Sequence, residues 1–133
     1  MKMRKRFVKA FALVCVAIIM LCGCGGPTPV DKSLTVKEKS WHELGSSEKD
    51  PVVYQPLCKG DVVYDSAFGV IKVKSVSEET IVLAVDGGFV EPNSDGTINL
   101  NIDPLTKIIL TPGQSIELAS QSMDAGVHVF ISY

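Results

Sequence analysis

From Leu34 to the C-terminus, apolar and polar residues alternate in short runs, and helical spacing is hard to find. Val, Ile, Thr and Tyr are abundant in these runs, and their branched or aromatic side chains suit a pleated surface. Leu34-Thr35-Val36 starts a first strand. Ser40-Trp41-His42-Glu43-Leu44 fits either state and is closed by Gly45-Ser46-Ser47. Val52-Val53-Tyr54 lies between Pro51 and Pro56, so it reads as a short or edge strand, because proline cannot donate to a ladder. Asp61 to Tyr64 follows the Lys59-Gly60 turn. Val70 to Val76 and Thr80 to Val85, joined across Ser77-Glu78-Glu79, form the clearest hairpin. On its first arm Lys72 and Lys74 share one face while Ile71 and Val73 share the other, as in a half-exposed strand. On its second arm Ile81, Leu83 and Val85 share a face.

Asp86 to Asp95 is a long polar loop. Thr97 to Ile102 reads as a strand, and so does Lys107 to Leu110, which ends at the turn signal Thr111-Pro112-Gly113. Ser115 to Leu118 is short. Val127, Val129, Ile131 and Tyr133 alternate with His128, Phe130 and Ser132, which makes a terminal strand. About seven to nine short strands separated by turn signals predict an all-β domain over residues 34–133. The expected form is a small antiparallel β-sandwich, with a β-barrel of similar strand count as the runner-up. The Cys-Trp-Cys spacing of antibody-type domains is missing, and no internal repeat is visible.

The start of the chain follows another pattern. Lys2, Arg4, Lys5, Arg6 and Lys9 precede an unbroken apolar run of 11 residues, Phe11 to Leu21. That is the length of a secretory h-region and too short to cross roughly 30 Å of hydrocarbon as a helix. The run closes on Leu21-Cys22-Gly23-Cys24. Leu21 stands at −3, the small Gly23 at −1 and Cys24 at +1. This stretch resembles the lipobox of bacterial lipoproteins, although Cys22 is not the small or β-branched residue usual at −2. The resemblance implies a signal peptide over 1–23 and cleavage before Cys24. It also implies a covalent diacylglycerol on Cys24 and attachment to the outer, extracytoplasmic face of the cell membrane. Palmitate-like acyl chains each bury many methylenes at about 0.8 kcal/mol, so two of them anchor stably where one does not. Residues 24–33 then read as the lipidated cysteine and a Gly- and Pro-rich flexible tether, with a reach on the order of 15–20 Å.

Processing changes the charge. Removing 23 of the 133 residues leaves 110, with eight basic groups, all lysine, against 15 acidic ones. The side-chain net charge moves from −2 for the precursor to −7. An acidic chain without arginine is unsuited to neutralising phosphates, which excludes nucleic acid as the expected partner. It also lacks a polybasic grip on anionic lipid, so the membrane partner is reached through the lipid anchor. Of the four cysteines, Cys15 and Cys22 fall in the removed segment and Cys24 carries the lipid. Cys58 is then the single remaining thiol, and a mature length of about one ordinary domain does not need a disulfide to fold.

The densest polar cluster is Glu91-Pro92-Asn93-Ser94-Asp95-Gly96-Thr97-Ile98-Asn99. It resembles the front half of an EF-hand or dockerin calcium loop. That resemblance implies oxygen ligands from Glu91, Asn93, Asp95 and the Thr97 carbonyl, with Gly96 at the sharp turn and Ile98 as the apolar plug. The pattern breaks at the twelfth position, where Ile102 replaces the closing carboxylate. The competing reading is a plain Asn-Ser-Asp-Gly turn entering a strand, since these residues tolerate left-handed backbone. Cys58 with His42 or His128 suggests a thiol enzyme, with Lys59 lowering the thiol pKa, and the competing reading is a small buried core thiol. His42-Glu43 is not the metalloprotease motif, because position 46 is serine. Phe89 in its loop is either an exposed contact residue or a side chain folded over the end of the sandwich.

The expected function is that of a membrane-anchored extracytoplasmic lipoprotein, a binding or interaction module for an envelope protein or other ligand, without catalysis. The alternatives are a calcium-dependent surface module using loop 91–99 and an extracytoplasmic hydrolase or thiol enzyme.

Overall fold

The computed structural model describes residues 28–133, so the expected signal segment 1–23 and Cys24 lie outside the described residues. Nine strands and no helix occur among the described residues. One antiparallel sheet contains β1 (Leu34–His42), β2 (Gly45–Glu48), β3 (Val52–Tyr54), β8 (Ser115–Gln121) and β9 (Ala125–Ser132). Its order is β2-β1-β9-β8, with β3 sharing the outer edge of β1. The other contains β4 (Val62–Ser66), β5 (Gly69–Val76), β6 (Ile81–Gly87) and β7 (Lys107–Leu110), in chain order. No ladder joins the two sheets, so the molecule is a small β-sandwich and not the closed barrel of the alternative expectation.

The core lies between the sheets and follows the strand alternation. Leu34 and Val36 of β1 and Val127, Val129 and Ile131 of β9 point inward from one side. Ile71 and Val73 of β5 and Ile81, Leu83 and Val85 of β6 meet them from the other. Burying such side chains contributes about 1.5–3 kcal/mol each. The β5–β6 hairpin therefore has the faces read from its sequence, with Lys72 and Lys74 outward.

Four elements differ from expectation, and the first is β2, a strand over the Gly45-Ser46-Ser47 expected only to close the preceding segment. The two segments Leu34–Val36 and Ser40–Leu44 belong to one strand that ends at His42. Pairing decides the ambiguous part, because Lys39 to His42 are flanked by β2 on one side and by β9 on the other. β2 gives way to β3 at Asp50-Pro51, where proline has no N–H for a ladder. Thr97–Ile102 is not a strand. Thr97 is instead folded back onto Asn93 and Asp95, and Asn99 accepts the backbone N–H of Asn101. Val30, placed in the expected tether, forms a bridge with Leu57 through hydrogen bonds of 2.8 and 2.9 Å. Any free spacer after Cys24 therefore ends before Val30.

Phe89 is fully buried, which decides between its two readings in favour of a side chain folded into the sandwich. It lies after β6 and packs against Tyr64 with the two rings at 76° to each other and their centroids 5.9 Å apart. A register shift between Val62 and Tyr64 turns both Val63 and Tyr64 into the core. The next residue, Val90, exchanges backbone hydrogen bonds of 2.9 and 2.8 Å with Ala119. This clip fastens the loop after β6 to the edge strand β8 of the opposite sheet.

Candidate binding face

The outer face of the five-stranded sheet is built by the residues that alternate with the core. Thr35, Lys37, Lys39 and Trp41 of β1 point away from the core, as do His128 and Phe130 of β9. Register sets them in rows across the sheet. Ser46 lies opposite Trp41, and Trp41 lies opposite Gly126. Lys39 lies between Glu48 and His128, and Lys37 lies opposite Phe130. Glu117 of β8 stands opposite Phe130.

Two contacts fix this face. A Cβ added at Gly126 would come within 2.3 Å of Trp41 Nε1 and 2.7 Å of Cζ2, so that edge of the indole covers the glycine. Glu117 Oε1 lies 2.7 Å from His128 Nδ1, a diagonal cross-strand hydrogen bond in which the imidazole N–H donates to the carboxylate. Lys37 is paired with Glu48 on the neighbouring strand, and that lysine lowers the Glu48 pKa, chiefly by its hydrogen bond and then by its charge. Between these groups lies a depression of about 230 Å³, lined by Lys39, Trp41, Ser46, Glu117, His128 and Phe130 among others. Its surface is predominantly apolar.

A second depression, of about 170 Å³, lies where β1 and β3 meet β4. Glu38, Asp50 and Asp65 line it. Glu38 is held by Lys49, at 3.1 Å, so this carboxylate is engaged in an ion pair. Tyr64 also lines it, and burial pushes its pKa up to about 12, with the Ser66 hydroxyl opposing the rise and Glu38 adding to it. Its Oη makes no hydrogen bond of proper geometry, although both side chains lie near enough to act on its ionisation.

The candidates from sequence are placed as follows. Glu91, Asn93 and Asp95 are all exposed. Asp95 Oδ1 accepts from the backbone N–H and the hydroxyl of Thr97, at 3.0 and 2.6 Å, which lowers its pKa. Asn93 Nδ2 donates to Thr97 Oγ1, and Gly96 takes a φ of +84°. This is a turn closed on its own side chains, and the strand that the plainer reading sets after it is not formed. No group of three or more His, Cys, Asp or Glu able to hold a metal occurs among the described residues.

Cys58 is buried beside Leu57, and its backbone N–H donates to Asp61 Oδ2 at 2.8 Å. His42 ends β1 and accepts from the backbone N–H of Leu44, while His128 is on the outer face with Glu117. His128 is thus on the outer face of the sheet, while Cys58 is a buried thiol in the segment between β3 and β4.

Sequence reasoning missed the Trp41–Gly126 and Glu117–His128 pairs. The alternation in the last strand already sets His128 and Phe130 on one face. The register that brings Trp41, Lys39 and Glu117 beside them has no sequence signature. No protein-family model, curated protein or solved structure matches this chain.

Proposed function

We propose that the protein is a lipid-anchored extracytoplasmic binding module, held to the membrane through a diacylglycerol on Cys24, that takes its ligand on the outer face of the five-stranded sheet. The observation that carries the anchor is the 11-residue apolar run that ends at Leu21-Cys22-Gly23-Cys24 behind a basic start. The observation that supports binding on this face is the aromatic depression, with Trp41 held in place by Gly126.

The two halves of the reading fit one orientation. The chain enters the fold at Val30, next to the start of β1. Trp41 lies seven residues beyond Leu34, roughly 23 Å along the strand at about 3.3 Å per residue. Trp41 therefore lies toward the end of the sheet opposite the one at which the chain enters. At the same end of the sheet the hairpin turns present Leu44 and Met123, which are 93% and 97% exposed.

Mass spectrometry of the native product tests the anchor. A chain that begins at Cys24 with an acyl mass on it, lost in Cys24→Ser, is the expected result. A different start, or an unmodified Cys24, would overturn it.

A further inference from the structure

The recess where β1 and β3 meet β4 is built around an acidic side chain on the core side of its strand. In β1, Glu38 follows Leu34 and Val36 on the inward face. Val129, directly opposite Glu38 on β9, is fully buried. A carboxylate there costs free energy unless it is paired. Lys49 pairs it, with Nζ 3.1 Å from Oε1, and the lysine side chain is itself 70% exposed. One alkylammonium, the chain's own, thus already sits on one carboxylate of this recess. Asp50 and Asp65 line it too, and neither side chain makes an ion pair or hydrogen bond among the described residues. Three carboxylates against one lysine leave the lining negative. Tyr64 adds a phenol that is 8% exposed and whose Oη has no hydrogen-bond partner. Glu38 lies close enough to act on the ionisation of that phenol, so its hydroxyl end is turned to the recess. Burial pushes the phenol pKa up to about 12, so at neutral pH it keeps both a donor and an acceptor.

We propose that this recess binds a small primary alkylammonium ion, drawn by Asp50 and Asp65, hydrogen-bonded to the Tyr64 oxygen and with its alkyl chain along Val36, Val52 and Val63. The excess of carboxylates selects a cation. The valines select one with a hydrocarbon tail, because a bare ion would leave their surface in water. The size of the recess limits that tail. At roughly 30 Å³ for each water-sized group, its volume of about 170 Å³ takes a ligand of roughly five or six non-hydrogen atoms, such as butylammonium. The ammonium donates to the Tyr64 oxygen, which otherwise has no partner, and the phenol hydrogen turns to Glu38. This site is separate from the outer-face depression, because Glu38 and Lys39 are neighbours on opposite faces of β1.

Calorimetric titration of the full-length protein in nonionic detergent with butylammonium tests the site, with 1-butanol as the uncharged counterpart of the same chain length. Saturable binding of butylammonium, and none of 1-butanol, is the expected result. Asp65→Asn removes one charge at an exposed position and should weaken that binding roughly tenfold. Tyr64→Phe keeps the ring in the core and removes the acceptor, and should weaken it by a similar factor of roughly ten. Absence of saturable butylammonium binding, or equal binding of 1-butanol, would overturn the proposal. So would binding that is unchanged in both variants, since the ammonium would then be held elsewhere on this acidic chain.

Discussion

The Nε1 edge of Trp41 fills the space that a side chain at Gly126 would need, from directly across the β1–β9 pair. A strand glycine has no side chain to pack and loses more chain entropy on folding than alanine, by roughly 0.5–1 kcal/mol. The indole offsets that weakness by covering the bare backbone. The two positions are therefore coupled, and the coupling has a sign. Gly126→Ala in the native chain should displace the indole and cost about 1–3 kcal/mol, as overpacking does. In a Trp41→Ala background the same change should be neutral or stabilising by up to about 1 kcal/mol, because only the strand preference is left. Urea unfolding of the four proteins of this cycle, followed by circular dichroism, reads the result. Additive effects would show that the contact carries no energy.

Gly69 and Gly87 stand opposite each other at the open end of the β5–β6 hairpin, with φ of +152° and +126°. A Cβ on Gly87 would lie 2.4 Å from the Phe68 carbonyl oxygen and 2.7 Å from Gly69 Cα. Both obstacles are backbone and cannot rotate aside. Gly87→Ala should thus combine the backbone penalty with overpacking and destabilise by about 2–5 kcal/mol. Gly113 also has a positive φ, +82°, but nothing lies within 4 Å of its added Cβ. Gly113→Ala should cost about 1–2 kcal/mol, the backbone part alone. Comparison of the two denaturant midpoints checks this, and equal losses would count against the steric explanation.

Strand positions and the inward faces were legible because burial on one side of a sheet writes a period of two into the chain. The hairpin from Val70 to Val85 and the terminal strand are the clearest cases. Thr97–Ile102 misled because its Thr, Ile and Leu have strand preference, while its short polar side chains offer the backbone closer partners. Asp95 and Asn93 take Thr97, and Asn99 takes Asn101. Phe89 was ambiguous for a related reason. Local sequence shows a loop, and only the clip between Val90 and Ala119, 29 positions away, draws it under the sandwich. The candidate site was half visible. Alternation alone puts His128 and Phe130 together, but which strand lies beside them is decided by long-range pairing, which single residues do not encode.

The 91–99 turn makes a prediction about calcium. Asp95 Oδ1 is taken up by two hydrogen bonds from Thr97, and Asn93 Nδ2 is bound to the same hydroxyl. These hydrogen bonds close the loop on its own side chains, and the carboxylate needed at position 102 is replaced by isoleucine. Thermal melts in excess calcium and in chelator should have the same midpoint. An upward shift with calcium that disappears in Asp95→Asn would instead establish a site there, since a ligand bound to the folded state alone raises its stability.

Tyr64 gives the chain an alkaline limit. It is 8% exposed, its ring packs in a T-shaped pair with Phe89, and its Oη is buried without a well-formed hydrogen bond. Burial raises its pKa from 10.0 to about 12, because the phenolate would lose its hydration. The unfolded chain gives up this proton near pH 10, whereas the folded chain holds it up to about 12. The unfolded state therefore binds fewer protons across that window, and stability should fall as pH rises from about 10 to about 12. Below the lower limit the contribution is complete and independent of pH. Tyr64→Phe keeps the ring contact and removes both the titration and the unpaired hydroxyl. At neutral pH it should be neutral or more stable by up to about 1 kcal/mol, because a buried polar group without a partner costs free energy. Its decline above pH 10 should be shallower than that of the native chain. Urea midpoints measured from pH 7 to 12 on both proteins decide the matter. A loss of more than about 1 kcal/mol at neutral pH would mean that the hydroxyl is hydrogen-bonded in solution, with Glu38 or Ser66 as its partner.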